Sequence, residues 1–239
     1  MNLIFSTKNF IIFSSAFVIF TIIGTLSHEY GHILIAKSLG YETKLHYGSM
    51  NYQKYNTNIN DSIIEMFERN KFEIKNKKAF PEKIKFYTLV NKQEKDSFLV
   101  TIGGPIQTML TGIIGFLFLY KRNKMSNINF SKIDWFFVFL SLFWMRQIYN
   151  PTFSILRRLL KLKGSYFGRS DETQIAEFLN IPKGTFDVIF GLSGLIISLF
   201  VIFKFIPLKY RLTFVISGLI GGSLGFYIWM YKIGPIILP

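Results

Sequence analysis

Uncharged apolar runs recur along the chain, and their lengths decide its class before any single residue does. Residues 10–26 carry no charge, and Ile33, Leu34, Ile35 and Ala36 carry the apolar pattern on to Lys37. A helix needs about 20 apolar residues to cross a ~30 Å hydrocarbon layer. The pattern predicts spans at 9–39, 98–120, 133–149, 186–203 and 212–231. Gly40 is a good stop for the first. Asn150-Pro151 stops the third, because a proline pushes the residue before it out of helical geometry.

The polar stretches between the spans predict smaller elements. Residues 41–97 form a polar loop, whose first part, 41–55, mixes Tyr, Thr, Leu and His in a strand-like way and predicts a hairpin against the membrane. Residues 61–69 predict a short helix capped by Asp61 or Ser62. Residues 152–163, with Arg157, Arg158, Lys161 and Lys163, predict a basic amphipathic helix at the interface. Ser170 reads as the N-cap of a helix over 171–179, with Asp171 and Glu172 in its first turn. The expected fold is an all-α polytopic membrane protein of about five transmembrane helices, with a small β-hairpin after the first. No internal repeat is visible.

Composition agrees. Half of the residues are hydrophobic and the mean hydropathy is +0.31, which belongs to a membrane protein rather than a soluble domain. The net charge of +14 does not indicate nucleic acid, because the basic residues sit in loops beside apolar spans, where they suit the anionic face of a lipid bilayer. If loop 41–97 faces the cytoplasm, that side holds 19 Lys and Arg against eight on the other. The expected topology therefore has the N-terminus outside. The first apolar run leads straight into the polar cluster described next, so it is not a convincing cleavable signal. With no cysteine, any metal must take His, Asp, Glu or water.

Within the first span lies His28-Glu29-Tyr30-Gly31-His32, a His-Glu-x-x-His pattern. On a helix, residues i and i+4 share a face, so His28 and His32 can offer imidazole nitrogens to one ion. Glu29 stands beside that pair and can take the proton of a water acidified by zinc. The bland alternative is a packing coincidence. Against it stand the rarity of histidine, three in 239 residues, and the cost of charge inside an apolar run. His28 lies nine residues before Lys37, or ~13 Å along the helix, which sets the site below the cytoplasmic surface.

A catalytic zinc ion usually has three protein ligands. The candidates for the third are Asp171, His46, Asp187 and Glu172, all on the cytoplasmic side of the expected topology. Glu177 falls in a surface helix, and Asp134 begins the third span at the far face. Asn150 is either a helix terminus or an amide facing a scissile carbonyl as a polar stabiliser of the oxyanion. Arg146 either snorkels to the interface or pairs with Asp171 or Glu172.

These residues resemble the site-2 protease family of intramembrane zinc metalloproteases. The resemblance rests on His28-Glu29-Tyr30-Gly31-His32, on Gly104-Pro105 early in the second span and on Asn150-Pro151 at the end of the third, and it covers residues 10–175. It implies a three-span core within 1–184, comprising the spans, cytoplasmic loop 41–97 and interfacial segment 150–184, with 185–239 as two added helices. It also implies a zinc (Zn2+) endopeptidase of a bacterial cytoplasmic (inner) membrane that cleaves a membrane protein or peptide substrate near the cytoplasmic face. Glu29 would be the general base and Asp171 the third ligand. The chain departs from the family in having Thr108 where Gly-Pro-x-x-Asn requires Asn, and in lacking Leu-Asp-Gly. The competing reading is a non-catalytic transporter subunit or scaffold with a structural metal site.

Overall fold

The computed structural model describes residues 5–54, 58–124, 130–161, 167–168 and 170–239, leaving aside the side chains of residues 54, 58–60, 150 and 153. The first span is a single helix, α1 (Thr7–Ser38). Ser6 caps it, its hydroxyl accepting from the Asn9 amide, and Gly40 at φ +82° turns the chain away in a left-handed conformation that favours glycine. The predicted hairpin follows as β1 (Tyr41–Leu45) antiparallel to β2 (Met50–Lys54), with Tyr41 opposite Lys54 and Leu45 opposite Met50.

The rest of the expected loop is mostly helical. It contains α2 (Asn58–Arg69) and α3 (Lys71–Lys75), and α4 (Lys83–Lys124) begins well before the predicted boundary at 98. At 42 residues α4 is ~63 Å long, twice the thickness of a hydrocarbon core, so its first turns project beyond any membrane. Hydropathy misses this extension because its residues alternate Lys, Glu and Gln with the apolar positions that bury Phe86. Phe86 packs with Met66 and Phe80 into a small core outside the bundle. Tyr41 donates its phenol hydrogen to Asp96 at 2.7 Å and ties the hairpin to α4.

The third stretch is helical but broken: α5 (Lys132–Ser141), a 3₁₀ turn (Leu142–Met145), then α6 (Arg146–Leu159). The predicted stop at Asn150-Pro151 is not where the helix ends. Pro151 sits inside α6, where it has no N–H to give the Gln147 carbonyl four residues back. The predicted basic amphipathic piece is, as far as Leu159, the second half of this helix, and Lys163 lies outside the described residues. Next come α7 (Asp171–Phe178), α8 (Thr185–Phe200) with a π turn over Val201–Phe205, α9 (Leu208–Ile228) with a π turn over Trp229–Ile233, and α10 (Gly234–Ile237). The architecture is mostly helical with one two-stranded sheet. Among the described residues, four helical stretches are long and apolar enough to cross a membrane: Thr7–Ser38, Lys83–Lys124, Thr185–Phe205 and Leu208–Ile237.

Helix α1 is the centre of the bundle and packs mainly against α4 and α9. Its crossing with α4 is close because Gly31 meets Gly103; a Cβ on Gly103 would stand 2.5 Å from the Gly31 carbonyl oxygen. At one end of the bundle, Phe13, Phe17, Phe139 and Phe214 form an aromatic core, with Trp135 tilted against its edge. The Ser6 amide donates to the Thr213 hydroxyl at this end, and Arg122 of α4 clamps Asp134 at the start of α5 at 2.5 Å. The hairpin lies at the other end. There Tyr47 accepts from the Trp229 indole at 2.6 Å and donates to the Leu238 carbonyl at 3.0 Å. The chain thus passes back and forth between two ends, and α7 lies at the hairpin end.

Candidate metal centre

The i, i+4 spacing places His28 and His32 on the face of α1 that meets α4. Both side chains are buried, at 1 % and 8 % exposure. Asp171, the first residue of α7, reaches them from 143 positions away, its Oδ2 lying 2.9 Å from His28 Nε2 and 3.4 Å from His32 Nε2. The two Nε2 atoms are 3.2 Å apart. Four-coordinate zinc, with bonds of ~2.0–2.2 Å, holds its ligand atoms about 3.3–3.5 Å from one another. The three atoms therefore stand at nearly the spacing of ligands around one ion, and they form a group able to hold a metal.

Hydrogen bonds at the far ring nitrogens fix what these atoms present. His32 Nδ1 lies 2.7 Å from the Val100 carbonyl oxygen, which can only accept, so Nδ1 carries the hydrogen. The Gly104 amide, 3.3 Å from the same nitrogen, is then a packing contact. The Thr108 hydroxyl donates to the Gly104 carbonyl at 3.0 Å, so it accepts from His28 Nδ1 at 2.9 Å. Both neutral imidazoles thus turn a bare Nε2 lone pair toward the other and toward the Asp171 carboxylate. Three lone pairs converge with no hydrogen between them, an arrangement that repels itself unless a cation or a proton occupies the centre. This donor set fits a metal ion.

Gly104 completes the cradle. A Cβ there would stand 2.6 Å from His28 Nε2 and closer still to His32 Nε2. Gly104→Ala is therefore expected to cut bound metal about 10–100-fold, the usual cost of disturbing the support of a ligand. Elemental analysis of the purified variant, with circular dichroism to confirm its helices, checks this. Full metal content in a folded Gly104→Ala protein would mean that the ion sits elsewhere.

The capping geometry of α7 aims Asp171. Ser170 accepts from the Thr173 amide at 3.1 Å, and Asp187 of α8 accepts from the hydroxyls of Ser170 at 2.8 Å and Thr173 at 3.1 Å. Asp187, a candidate ligand, is thus the brace of the α7 cap. Asp171 is the most exposed of the three, at 24 %, so the centre opens on the α7 side. Burial works against its charge, yet a proton shared with His28 and His32 holds the carboxyl well below the usual carboxylate range. Beside it, burial first and the Asp171 charge second push Glu172 up to about 7.

The other candidates lie apart. His46 bonds the Pro239 carbonyl and Asn51 at the hairpin. Glu177 pairs with Lys183. Asp134 is held by Arg122 at the opposite end. Arg146 is exposed and forms no ion pair among the described residues with Asp171 or Glu172. The side chain of Asn150 lies outside the described residues. Glu29 is buried at 6 % next to His28 and makes no hydrogen bond or ion pair among the described residues.

Sequence reasoning missed Thr108 as the support of His28. The signal was its place four residues after Gly104 on the same face of α4. It also missed Gln147, which is 1 % exposed with neither amide atom partnered among the described residues. A cleft of about 730 Å³ opens between α4 and α7, lined by Ser97, Thr101, Gln174 and Asn180 among others. Thr101 adjoins Val100, which holds His32, and Gln174 is one turn from Asp171. No protein-family model, curated protein or solved structure matches this chain.

Proposed function

We propose that the chain is an intramembrane zinc endopeptidase of the site-2 protease kind. It hydrolyses a peptide bond of a membrane-embedded or membrane-associated protein near the cytoplasmic face. The observation that carries this reading is the convergence of three acceptor lone pairs, from His28, His32 and Asp171, inside an apolar helical bundle. Three protein ligands leave a fourth position free, which favours a catalytic over a closed structural site. Bound there, zinc would supply Lewis-acid activation of water and of the scissile carbonyl.

The chain's own residues do the rest. Val100 and Thr108 hold the imidazoles in the tautomer with Nε2 bare. The Ser170 cap and Asp187 hold Asp171. Glu29, buried and without a partner among the described residues, accepts a proton during attack and returns it to the leaving amine. A transmembrane helix has its peptide bonds already paired internally, so a substrate must unwind before it can be cut. The cleft between α4 and α7 gives its polar flank room beside the ligands. In this reading the N-terminus lies outside and the centre faces the cytoplasm of a bacterial inner membrane, with 133–149 as a fifth crossing; the Lys and Arg asymmetry supports that orientation.

The purified protein should hold about one zinc per chain, lost on His28→Ala or His32→Ala. A comparison of membrane peptides from cells carrying wild type and Glu29→Gln should reveal the substrate as a fragment pair present only with wild type. A metal-free protein with identical peptides in both strains would end the proposal. Topology has its own test, since the native chain lacks cysteine. Ser49→Cys and Lys183→Cys should label only from the cytoplasm, and Asn123→Cys only from outside. Labelling of Ser49→Cys and Asn123→Cys from one side would overturn the order of crossings.

A further inference from the structure

Gln147 poses a problem that the metal site does not explain. Its carboxamide carries two donors and an acceptor, it is 1 % exposed, and neither atom has a partner among the described residues. A group in that state is costly to fold around unless something else completes it.

The neighbours of Gln147 show where it points. The ring of Phe143, four residues earlier, lies against Gly24 of α1, 3.9 Å from where a Cβ would stand. The indole of Trp144, three residues earlier, lies against Gly112 of α4, with Nε1 2.8 Å from a Cβ built there. Gln147 follows one turn later, and helix periodicity directs it between these two directions, toward the side where α1 meets α4. Helices α1 and α6 run the same way, and one turn on from Gly24 is His28. Helix α4 runs the other way, and one turn back from Gly112 is Thr108, the partner of His28. By helix geometry the Gln147 carboxamide therefore stands at the level of the His28–Thr108 layer of the metal centre. Trp144 Nε1, also buried and without a partner among the described residues, lies one turn deeper on the same wall.

A primary carboxamide is a peptide group in miniature. It satisfies, and is satisfied by, one carbonyl and one N–H of an extended chain, the pair that an unwound substrate exposes. The structure assigns Gln147 as the residue that holds the substrate backbone at the metal centre, with Nε2–H donating to a substrate carbonyl and Oε1 accepting from a substrate amide. This rests on the endopeptidase reading. It extends that reading by making the recognised feature the bare backbone, independent of side chains.

Two chelators separate backbone contact from metal contact. Acetohydroxamate offers only the metal-binding group, whereas a tripeptidyl hydroxamate adds a peptide backbone. Binding of each to the zinc-loaded full chain in detergent is compared between wild type and Gln147→Met, which keeps length and volume. The expected result is unchanged zinc content, an acetohydroxamate Kd within about twofold, and a tripeptidyl hydroxamate Kd weakened at least about tenfold. Gln147→Asn, whose amide is too short to reach, gives the same split and replaces Gln147→Met should that variant not fold. A Gln147→Met protein that binds both compounds like wild type overturns the assignment, as it would if the carboxamide merely held an ordered water. Equal weakening of both also overturns it, since Gln147 would then act through the metal. A wild type that binds neither sinks the endopeptidase reading itself, and the assignment falls with it.

Discussion

Glu29→Gln should keep its metal and its fold and lose hydrolysis by about 10²–10⁴-fold, the usual contribution of a positioned proton acceptor. Glu29 is not one of the three converging ligands, and it makes no hydrogen bond or ion pair among the described residues, so no ligand loses its support when the carboxylate becomes an amide. The two side chains have nearly the same volume, and the site is buried, so packing is preserved. Stability should hold or rise, because an unpaired buried carboxylate is costlier than a carboxamide. Only the proton-accepting capacity is removed. The check is metal content, melting temperature and cleavage rate on one preparation. A variant that cleaves a validated substrate near the wild-type rate would remove Glu29 from the mechanism. A variant that loses its metal would make Glu29 a support of the ligands instead.

The parts of this site that were legible in the sequence are those set by local geometry. His28 and His32 must share a face once their segment is helical, and the apolar run around them makes it helical. Ser170 reads as a cap from its neighbours alone, and its hydroxyl does accept from the Thr173 amide. Asp171 could be placed among few candidates because carboxylates outside loop 41–97 are scarce. Capping and ligation are compatible readings of Ser170-Asp171-Glu172: the cap fixes the turn from which Asp171 reaches His28 and His32.

What stayed hidden depends on contacts between distant segments. No local pattern pairs Tyr41 with Asp96 or sets the Val100 carbonyl against His32. The early start of α4 was lost because charge lowers hydropathy without breaking a helix. Pro151 misled for a related reason: the 3₁₀ turn at Leu142–Met145 lets the helix restart, so the proline falls within it. Thr108 stood out only as a departure from the family's Asn, yet its hydroxyl is what turns His28 toward the centre. Gln147 is the furthest from view, since a sequence cannot show which polar residue is buried without a partner.

Asp171→Ala carries the second large effect. If its carboxylate is the third ligand, the variant should lose nearly all bound zinc under conditions that saturate wild type, and all activity, because two imidazoles alone hold the ion weakly. The loss should not come from unfolding. Asp171 begins α7, where an acidic residue contributes about 0.3–1 kcal/mol through the helix dipole, and the Ser170 cap remains in place. Removing the anion also removes the repulsion between three converging acceptors, which offsets part of that cost in the metal-free protein. Asp187→Asn separates direct from indirect roles. It leaves every ligand intact but weakens the brace that Ser170 and Thr173 donate to, so it should lower zinc affinity by about 10–100-fold without abolishing binding. His46→Ala should change neither metal nor activity, since His46 is held at the hairpin by the Pro239 carbonyl and Asn51. Zinc kept in Asp171→Ala but lost in His46→Ala would move the third ligand to the hairpin and leave α7 as a cap over the site.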